Sequence, residues 1–330
     1  MERIITASRL SCDLCGTPGI PAQTDILDPD GKIPGDWSFR RCTNPECGLY
    51  WLDPAPLQTE LWKAYTTYHT HTRDASNKLE KHVLSLAHRF IKLALLPVWL
   101  FNGLKREADY LRFMTLAGEP SGKLLDVGCG AGRLLNRMKK RGWEVEGIDF
   151  DPQAAARTAK RYGIKTHTGD LAGCALPDAS FDAITMSQTI EHLFSPRATL
   201  DECLRILKPG GMLIMTTPNV NSIGAAEFGA FWRGWEPPRH LHMFSVESLK
   251  RLTRMAGFEV TEARSCSSGS AVVYRVSKFN RMKHGGKVSF MARLWLLAWG
   301  YRKELQEYHK QKTRRDTGQN ILVRAVKPIN

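Results

Sequence analysis

The sequence has no uninterrupted apolar stretch of the roughly 18 to 20 residues that spans a bilayer; Leu93–Phe101, around Pro97, is an apolar run of nine residues. Runs of that size imply that any membrane role is peripheral. The N-terminus, MERIITASRLSCD, lacks the apolar core of a secretory signal, so a cytoplasmic protein is expected, with the inner membrane face as the place of any peripheral association. Acidic residues are scarce at the other end. Residues 271–330 hold 14 Lys/Arg against 3 Asp/Glu, which places +11 of the formal +14 in the last 60 positions. Such a tail suits an anionic neighbour: a phospholipid surface, a phosphorylated substrate or nucleic acid. It equally suits a solvated helical surface. Nothing else is unusual, since 42% hydrophobic and 24% charged residues make an ordinary globular composition with room for a sizeable core.

The eight cysteines fall into two groups. Cys129, Cys174, Cys203 and Cys266 are scattered and read as small buried apolar residues. Cys12, Cys15, Cys42 and Cys47 form two knuckles, CDLC and CTNPEC, each followed by a glycine (Gly16, Gly48). In a chain without a secretion signal, such pairs favour metal over disulfides, and four thiolates close a tetrahedral structural Zn²⁺ site. A reduced thiol cluster is the alternative.

From Lys123 onward, strands alternate with helices. KLLDVGCGAG is an apolar strand entering a glycine-rich turn, and RLLNRMKKRG has helical periodicity. WEVEGIDFD is the next strand, and PQAAARTAKRYG is a helix opened by Pro152. Strands follow at IKTHTGD, FDAITMSQ and GGMLIMTTP, with a helix near PRATLDECLRIL before the last. This rhythm predicts an α/β fold with a doubly wound, mostly parallel sheet, whose ligand lies at the carboxyl ends of the strands. Asp126 to Gly132, Asp149 to Asp151, Asp170 with Leu171, and Ser187 with Gln188 share that rim. Asp126 stands ahead of G-C-G-A-G, where a dinucleotide turn would begin with glycine. A carboxylate there suits a ligand carrying an amino group and a sulfonium better than a pyrophosphate. The acidic end of the second strand suits two ribose hydroxyls.

LLDVGCGAGRLL, GIDFDP, TGDL, FDAITMSQTIEHL and LKPGGMLIMTTPN, in this order, resemble the class I S-adenosylmethionine-dependent methyltransferases over residues 122–264. The resemblance implies a seven-stranded Rossmann-like sheet and a cofactor site at Asp126, Gly128, Cys129, Gly130, Gly132, Asp149, Phe150, Asp170, Leu171, Ser187 and Gln188. Gly128 to Gly132 would pass under the methionine part, Asp149 would take the ribose, Asp170 with Leu171 the adenine, and Ser187 with Gln188 the floor. The N-terminal segment looks like the zinc-ribbon leader of some small-molecule and glycan methyltransferases. The implied division is a zinc module at 1–56, a helical linker or cap at 57–121, the cofactor core at 122–268, a basic helical insertion at 269–316 and a final strand at 317–330. Both insertions, HVLSLAHRFIKLALLPVWLFNGLKREADYLRFM and KVSFMARLWLLAWGYRKELQEYHKQKTRR, join Trp and Leu to flanking Lys/Arg. They would either cap the active site or rest on an anionic membrane surface.

Methyl transfer to a hydroxyl needs an in-line acceptor and a base for the departing proton. Candidates are Glu191 and His192 after the fourth strand, and Arg239, His240 and His242 in WEPPRHLHMFS after the fifth. I-E-H resembles a segment of quinone O-methyltransferases that hold a metal with two carboxylates. The position of the upstream carboxylate is held by Gln188 here, so Glu191 and His192 are read as capping the following helix or hydrogen-bonding the loop. His240 is the expected base, with Arg239 beside it to receive an anionic group; metal binding by H-L-H is not expected. The expected acceptor is a small-molecule, sugar or lipid-linked hydroxyl. Alternatives are an RNA methyltransferase, using the zinc module and basic tail to hold phosphates, and a non-catalytic cofactor-binding scaffold. GLYWLDPAP after the second knuckle, and the absence of an Asn-Pro-Pro-Tyr-like loop, argue against a nucleic-acid partner.

Overall fold

The computed structural model describes residues 4–28, 33–65 and 78–329; residues 66–77 of the expected linker lie outside them. The first part is antiparallel: β1 (Thr6–Ala7), β2 (Gly19–Ile26), β3 (Trp37–Cys42), β4 (Tyr50–Leu52) and β5 (Ala55–Pro56). Two long helices follow, α1 (Lys78–Asn102) and α2 (Leu104–Arg112), separated by Gly103 at φ 85°, a left-handed turn residue that suits glycine.

The core then reads β6 (Lys123–Val127), α3 (Arg133–Lys139), β7 (Glu144–Asp149), α4 (Pro152–Tyr162), β8 (Lys165–Thr168), β9 (Phe181–Ser187), α5 (Pro196–Ile206) and β10 (Leu207–Pro218). After α6 (Ile223–Phe228) come β11 (His242–Met243), α7 (Val246–Met255) and β12 (Glu259–Cys266). The chain ends with the hairpin α8 (Ser270–His284) and α9 (Phe290–Gln311), and then β13 (Asn320–Val326). Local chemistry sets several of these ends. Asp151 caps α4 by accepting from Gln153 N at 2.9 Å, with Pro152 in the first turn and Gly163 at φ 60° closing it. Ser245 and Ser248 form a reciprocal capping box on α7.

The seven-stranded sheet has the order β12-β13-β10-β9-β6-β7-β8, in which only β13 runs against its neighbours. Its central strands are buried on both faces, as Leu124, Leu125, Ile184, Leu213 and Ile214 attest. This is the fold expected from the strand–helix rhythm.

Two features depart from the expectations. A second sheet has the order β11-β4-β3-β2, so a strand from the loop after β10 completes the N-terminal sheet. Residues 1–56 therefore do not form their sheet alone. In addition, α1 continues through Pro97, so His82–Asn102 is a single 21-residue helical stretch, long and apolar enough by length and composition to cross a membrane. The expectation of isolated nine-residue runs is corrected accordingly: Arg89 and Lys92 interrupt the apolar run in sequence but do not end the helix.

Candidate active site

The glycine turn after β6 is fixed by its neighbours. Gly128 N and Cys129 N both donate to Ile148 O on β7, at 2.8 and 2.9 Å, and Gly130 N donates to Asp149 Oδ2 at 2.7 Å. The three glycines have φ of 77°, 50° and 64°. A Cβ at Gly128 would lie 2.4 Å from Thr189 Oγ1, and one at Gly132 would lie 2.4 Å from Thr158 Cγ2. At Gly130 it would meet nothing within 4 Å. Two glycines thus permit close packing of the turn, while the middle one faces open space where a ligand can approach.

Around that space stand the expected cofactor residues. Asp149 also accepts from Asp151 N at 2.9 Å, which leaves its carboxylate lone pairs for two hydroxyls. Phe150 beside it is 61% exposed and offers a ring face at the rim. Asp170 Oδ1 accepts from Gly173 N at 2.7 Å, and Leu171 turns its side chain into the core. Ser187 ends β9, and Gln188, at φ 55°, donates its N–H to Thr216 O at 2.8 Å. Cys129 is buried under the turn and contributes packing and backbone. The donor set fits S-adenosylmethionine: two carboxylates for a cation and a diol, exposed backbone at Gly128, and an aromatic face.

Asp126 is buried and accepts from Thr185 Oγ1 at 2.7 Å. Burial pushes its carboxyl up to about 7, chiefly by desolvation of the anion. A bound cation would pull it back down, so binding releases a proton wherever the free site is protonated. Cofactor affinity should therefore rise with pH up to about 7 and level off above. Calorimetry across pH 5.5–7.5 checks this, and Asp126→Asn should flatten that rise.

Beyond β9 the chain passes over Gly128, with Thr189 Oγ1 donating to Val127 O at 3.1 Å, and delivers Glu191 and His192. Glu191 Oε2 accepts from Thr217 Oγ1 at 2.9 Å and Oε1 is unpartnered. Burial raises this carboxyl to about 8, chiefly by desolvation of the anion, which favours its neutral form. His192 Nδ1 lies 3.0 Å from both Arg239 O and Tyr65 Oη. His240 Nδ1 donates to Gly234 O at 2.7 Å, the only role a carbonyl partner allows, so its lone pair is at Nε2. The two imidazoles meet edge to face at 4.6 Å between centroids. Burial depresses both, His240 to about 3. Ligand atoms of Glu191, His192 and His240 all lie within 4.8 Å of one another, a spacing that a metal ion could also bridge.

The other two residues expected at the acceptor have different duties. Arg239 is 1% exposed; its Nη2 meets Asp28 Oδ1 at 2.7 Å, its Nε meets Glu236 Oε1 at 3.0 Å, and Nη1 donates to Ala64 O. It is enclosed by carboxylates from its own loop and the N-terminal part, which corrects its expected role with an anionic substrate. His242 is corrected likewise. Its Nδ1 bonds Leu193 O at 3.1 Å and its Nε2 meets Asp13 at 3.0 Å, tying the first knuckle to this loop. The residue missed from sequence is Glu236, within WEPPRHLHMFS itself. Desolvation disfavours its anion, but Arg233, His240 and Arg239 outweigh that and hold it well below the usual carboxylate range. Its position between two arginines was the available signal.

The four N-terminal thiols converge as their spacing predicts. Cys12 Sγ and Cys47 Sγ are 3.6 Å apart, Cys15 Sγ and Cys42 Sγ 3.4 Å, and all four sulfurs lie within 4.8 Å of one another. Tetrahedral Zn–S bonds of about 2.3 Å require sulfurs about 3.8 Å apart, so the cluster needs little adjustment. Leu14 N donates to Cys12 Sγ at 3.4 Å, the kind of contact that steadies a thiolate.

Comparison with known proteins agrees with this geometry. Residues 102–263 match a family model described as a methyltransferase domain. The chain is 32% identical over 189 residues to a ubiquinone biosynthesis O-methyltransferase of Azoarcus sp., covering 52% of this chain and 80% of the relative. It is 29% identical over 178 residues to a Mycolicibacterium smegmatis protein named "Probable S-adenosylmethionine-dependent methyltransferase", covering 53% of this chain and 65% of that one. Among solved structures it is similar to Haemonchus contortus phosphoethanolamine N-methyltransferase 2 in complex with S-adenosyl-L-methionine, at 15% identity and a TM-score of 0.49, over 84% of this chain and 63% of that one. From the strand order, the pinned glycine turn with its acidic partners, and the Azoarcus relative that the chain covers to 80%, the chain belongs to the class I S-adenosylmethionine-dependent methyltransferases.

Proposed function

We propose that this enzyme moves the methyl group of S-adenosylmethionine to a hydroxyl oxygen of a small-molecule, sugar or lipid-linked acceptor, with His240 receiving the hydroxyl proton. The observation that carries the reading is the free lone pair at His240 Nε2, set by the Nδ1–H bond to Gly234 O, in a loop bonded to the segment that crosses Gly128. Leu241 N donates to Glu191 O at 2.8 Å, which holds the two segments together.

A buried imidazole this hard to protonate is a weak base in the resting site. Methyl transfer changes that balance, because the sulfonium becomes a neutral thioether as the acceptor releases its proton. The imidazolium that forms replaces one positive charge by another, with Glu236 Oε2 at 3.7 Å from Nε2 to stabilise it. Glu191 and Thr217 beside it are fully buried, which limits water around the transfer. Oxygen as acceptor atom is supported by the relatives named as ubiquinone biosynthesis O-methyltransferases. The N-terminal thiolates are proposed to hold a structural Zn²⁺.

With labelled cofactor and a panel of phenolic, sugar and lipid-linked alcohols, transfer to oxygen is the expected result. On the accepted substrate, His240→Ala should lower kcat by on the order of 10² while cofactor affinity stays within about threefold. Added Mg²⁺ or Mn²⁺ should leave the rate unchanged. A metal-stimulated rate would assign Glu191, His192 and His240 to a catalytic ion instead.

A further inference from the structure

The helix α1 carries an apolar face that nothing in the described protein covers. Val83, Leu86, Phe90, Leu93 and Leu100 recur at intervals of three, four, three and seven residues, which returns each to the same face, and Phe101 adjoins the last, so they form one stripe along the helix. Phe90 is 74% exposed, Leu93 69%, Leu100 61% and Phe101 94%, and none of the apolar window His82–Asn102 is buried. A single exposed leucine needs no explanation, but a continuous stripe several turns long costs free energy in water unless something covers it.

The opposite side of the helix is fixed. Glu80 Oε1 accepts from Arg293 Nη1 at 2.8 Å, His88 meets Tyr301 Oη at 3.2 Å, and the Trp99 ring packs on Tyr301 at 5.3 Å between centroids. These contacts run from the first turn of α1 to its last and pin it lengthwise against α9. A helix held in this way cannot stand across a bilayer without drawing the domain in with it; it can only lie with its free stripe against a surface. The charge of its supports identifies the surface. The α8–α9 hairpin on which it rests belongs to the segment with 14 Lys/Arg and 3 Asp/Glu, and Arg89 and Lys92 are exposed on α1 itself.

We infer that α1 is an interfacial docking helix that seats this protein on an anionic lipid bilayer, its stripe among the acyl chains and the basic hairpin against the head groups. An apolar stripe combined with flanking cations is the pattern that binds such interfaces in the plane of the membrane. The inference does not depend on which acceptor is methylated.

Flotation of the full chain with phosphatidylcholine vesicles, with and without about 30% phosphatidylglycerol, tests it. Binding should be at least about tenfold stronger to the anionic vesicles at low salt and weaken as salt is added. Phe90→Glu combined with Leu93→Glu should reduce binding at least about tenfold, while cofactor affinity, measured in parallel, stays unchanged and reports an intact fold. Alkaline carbonate should strip the bound protein from the vesicles. Failure to float with anionic vesicles, or equal flotation of the double variant, overturns the inference. So does carbonate-resistant insertion, which would mean a spanning helix. A concentration-dependent dimer that the double variant abolishes, without vesicle binding, would assign the stripe to a second copy of this chain and overturn it too.

Discussion

Replacing Arg239 with methionine is expected to lower the stability of the protein by about 3–5 kcal/mol, because it leaves carboxylates of Asp28 and Glu236 inside without their guanidinium. Asp28 and Glu236 are 4% and 6% exposed, so water cannot take over the solvation that Arg239 provides. Glu236 retains Arg233, and Asp28 retains the Ile33 N–H but loses the guanidinium paired with its other oxygen. Adding Asp28→Asn to Arg239→Met should therefore recover a substantial part of the loss, a non-additivity that marks a direct pair. Denaturant titration of the two single variants and the double variant measures it. If Arg239→Met instead leaves stability unchanged and raises KM for an acidic acceptor, the arginine serves the substrate after all.

That result bears on what could be read from the sequence. The placement of Asp126 to Gly132, Asp149 and Asp170 on one rim was legible, because each of its parts is local: a strand end, a glycine turn, an acidic residue after the next strand. The same holds for the thiol cluster, whose two knuckles bring their pairs together within three and five positions. The acceptor side was not legible in the same way. Arg239 and His240 are adjacent, and their chemistry alone suggests a shared role. Their roles divide because Arg239 meets Asp28, 211 positions away, whereas His240 bonds Gly234 within its own loop. The pairing of β11 with β4 is equally remote, since His242 opposes Trp51 across nearly 200 residues. A two-residue strand gives no periodicity to read. Helix α1 was expected as a helix, but the length of its apolar face was not. Counting uninterrupted apolar residues stops at Arg89 and Lys92, whereas a helix spaces the two basic residues around its circumference and leaves the stripe whole.

The long-range pairing of β11 also makes the thiol cluster, with the zinc proposed for it, consequential for catalysis. Cys42 ends β3, β3 pairs with β4, and β4 pairs with β11, which begins two positions after His240. Leu52 N donates to Leu241 O at 2.9 Å, and Asp13, beside the first knuckle, holds His242. Structural zinc contributes directly to folding in modules of this kind, with apparent binding free energies of roughly 10–16 kcal/mol in small peptides, so losing it should release the sheet that fixes the His240 loop. The glycine turn and Asp149 are held by β6, β7 and α4 instead, with no strand of the N-terminal sheet between them. Cys42→Ser, or removal of the metal from the full chain with a strong chelator, should lower methyl transfer by 10²-fold or more, on the order of the loss from removing a general base. Cofactor affinity should change by less than about threefold, and zinc content should fall from one ion per chain to none. Parallel loss of transfer and cofactor binding would mean that the two sheets unfold as one cooperative unit, whereas full activity without zinc would leave the cysteines as a reduced packing cluster. The same variant separates this coupling from a defect in His240 itself: zinc restored to the chelated wild-type chain should bring transfer back, and zinc added to His240→Ala should not.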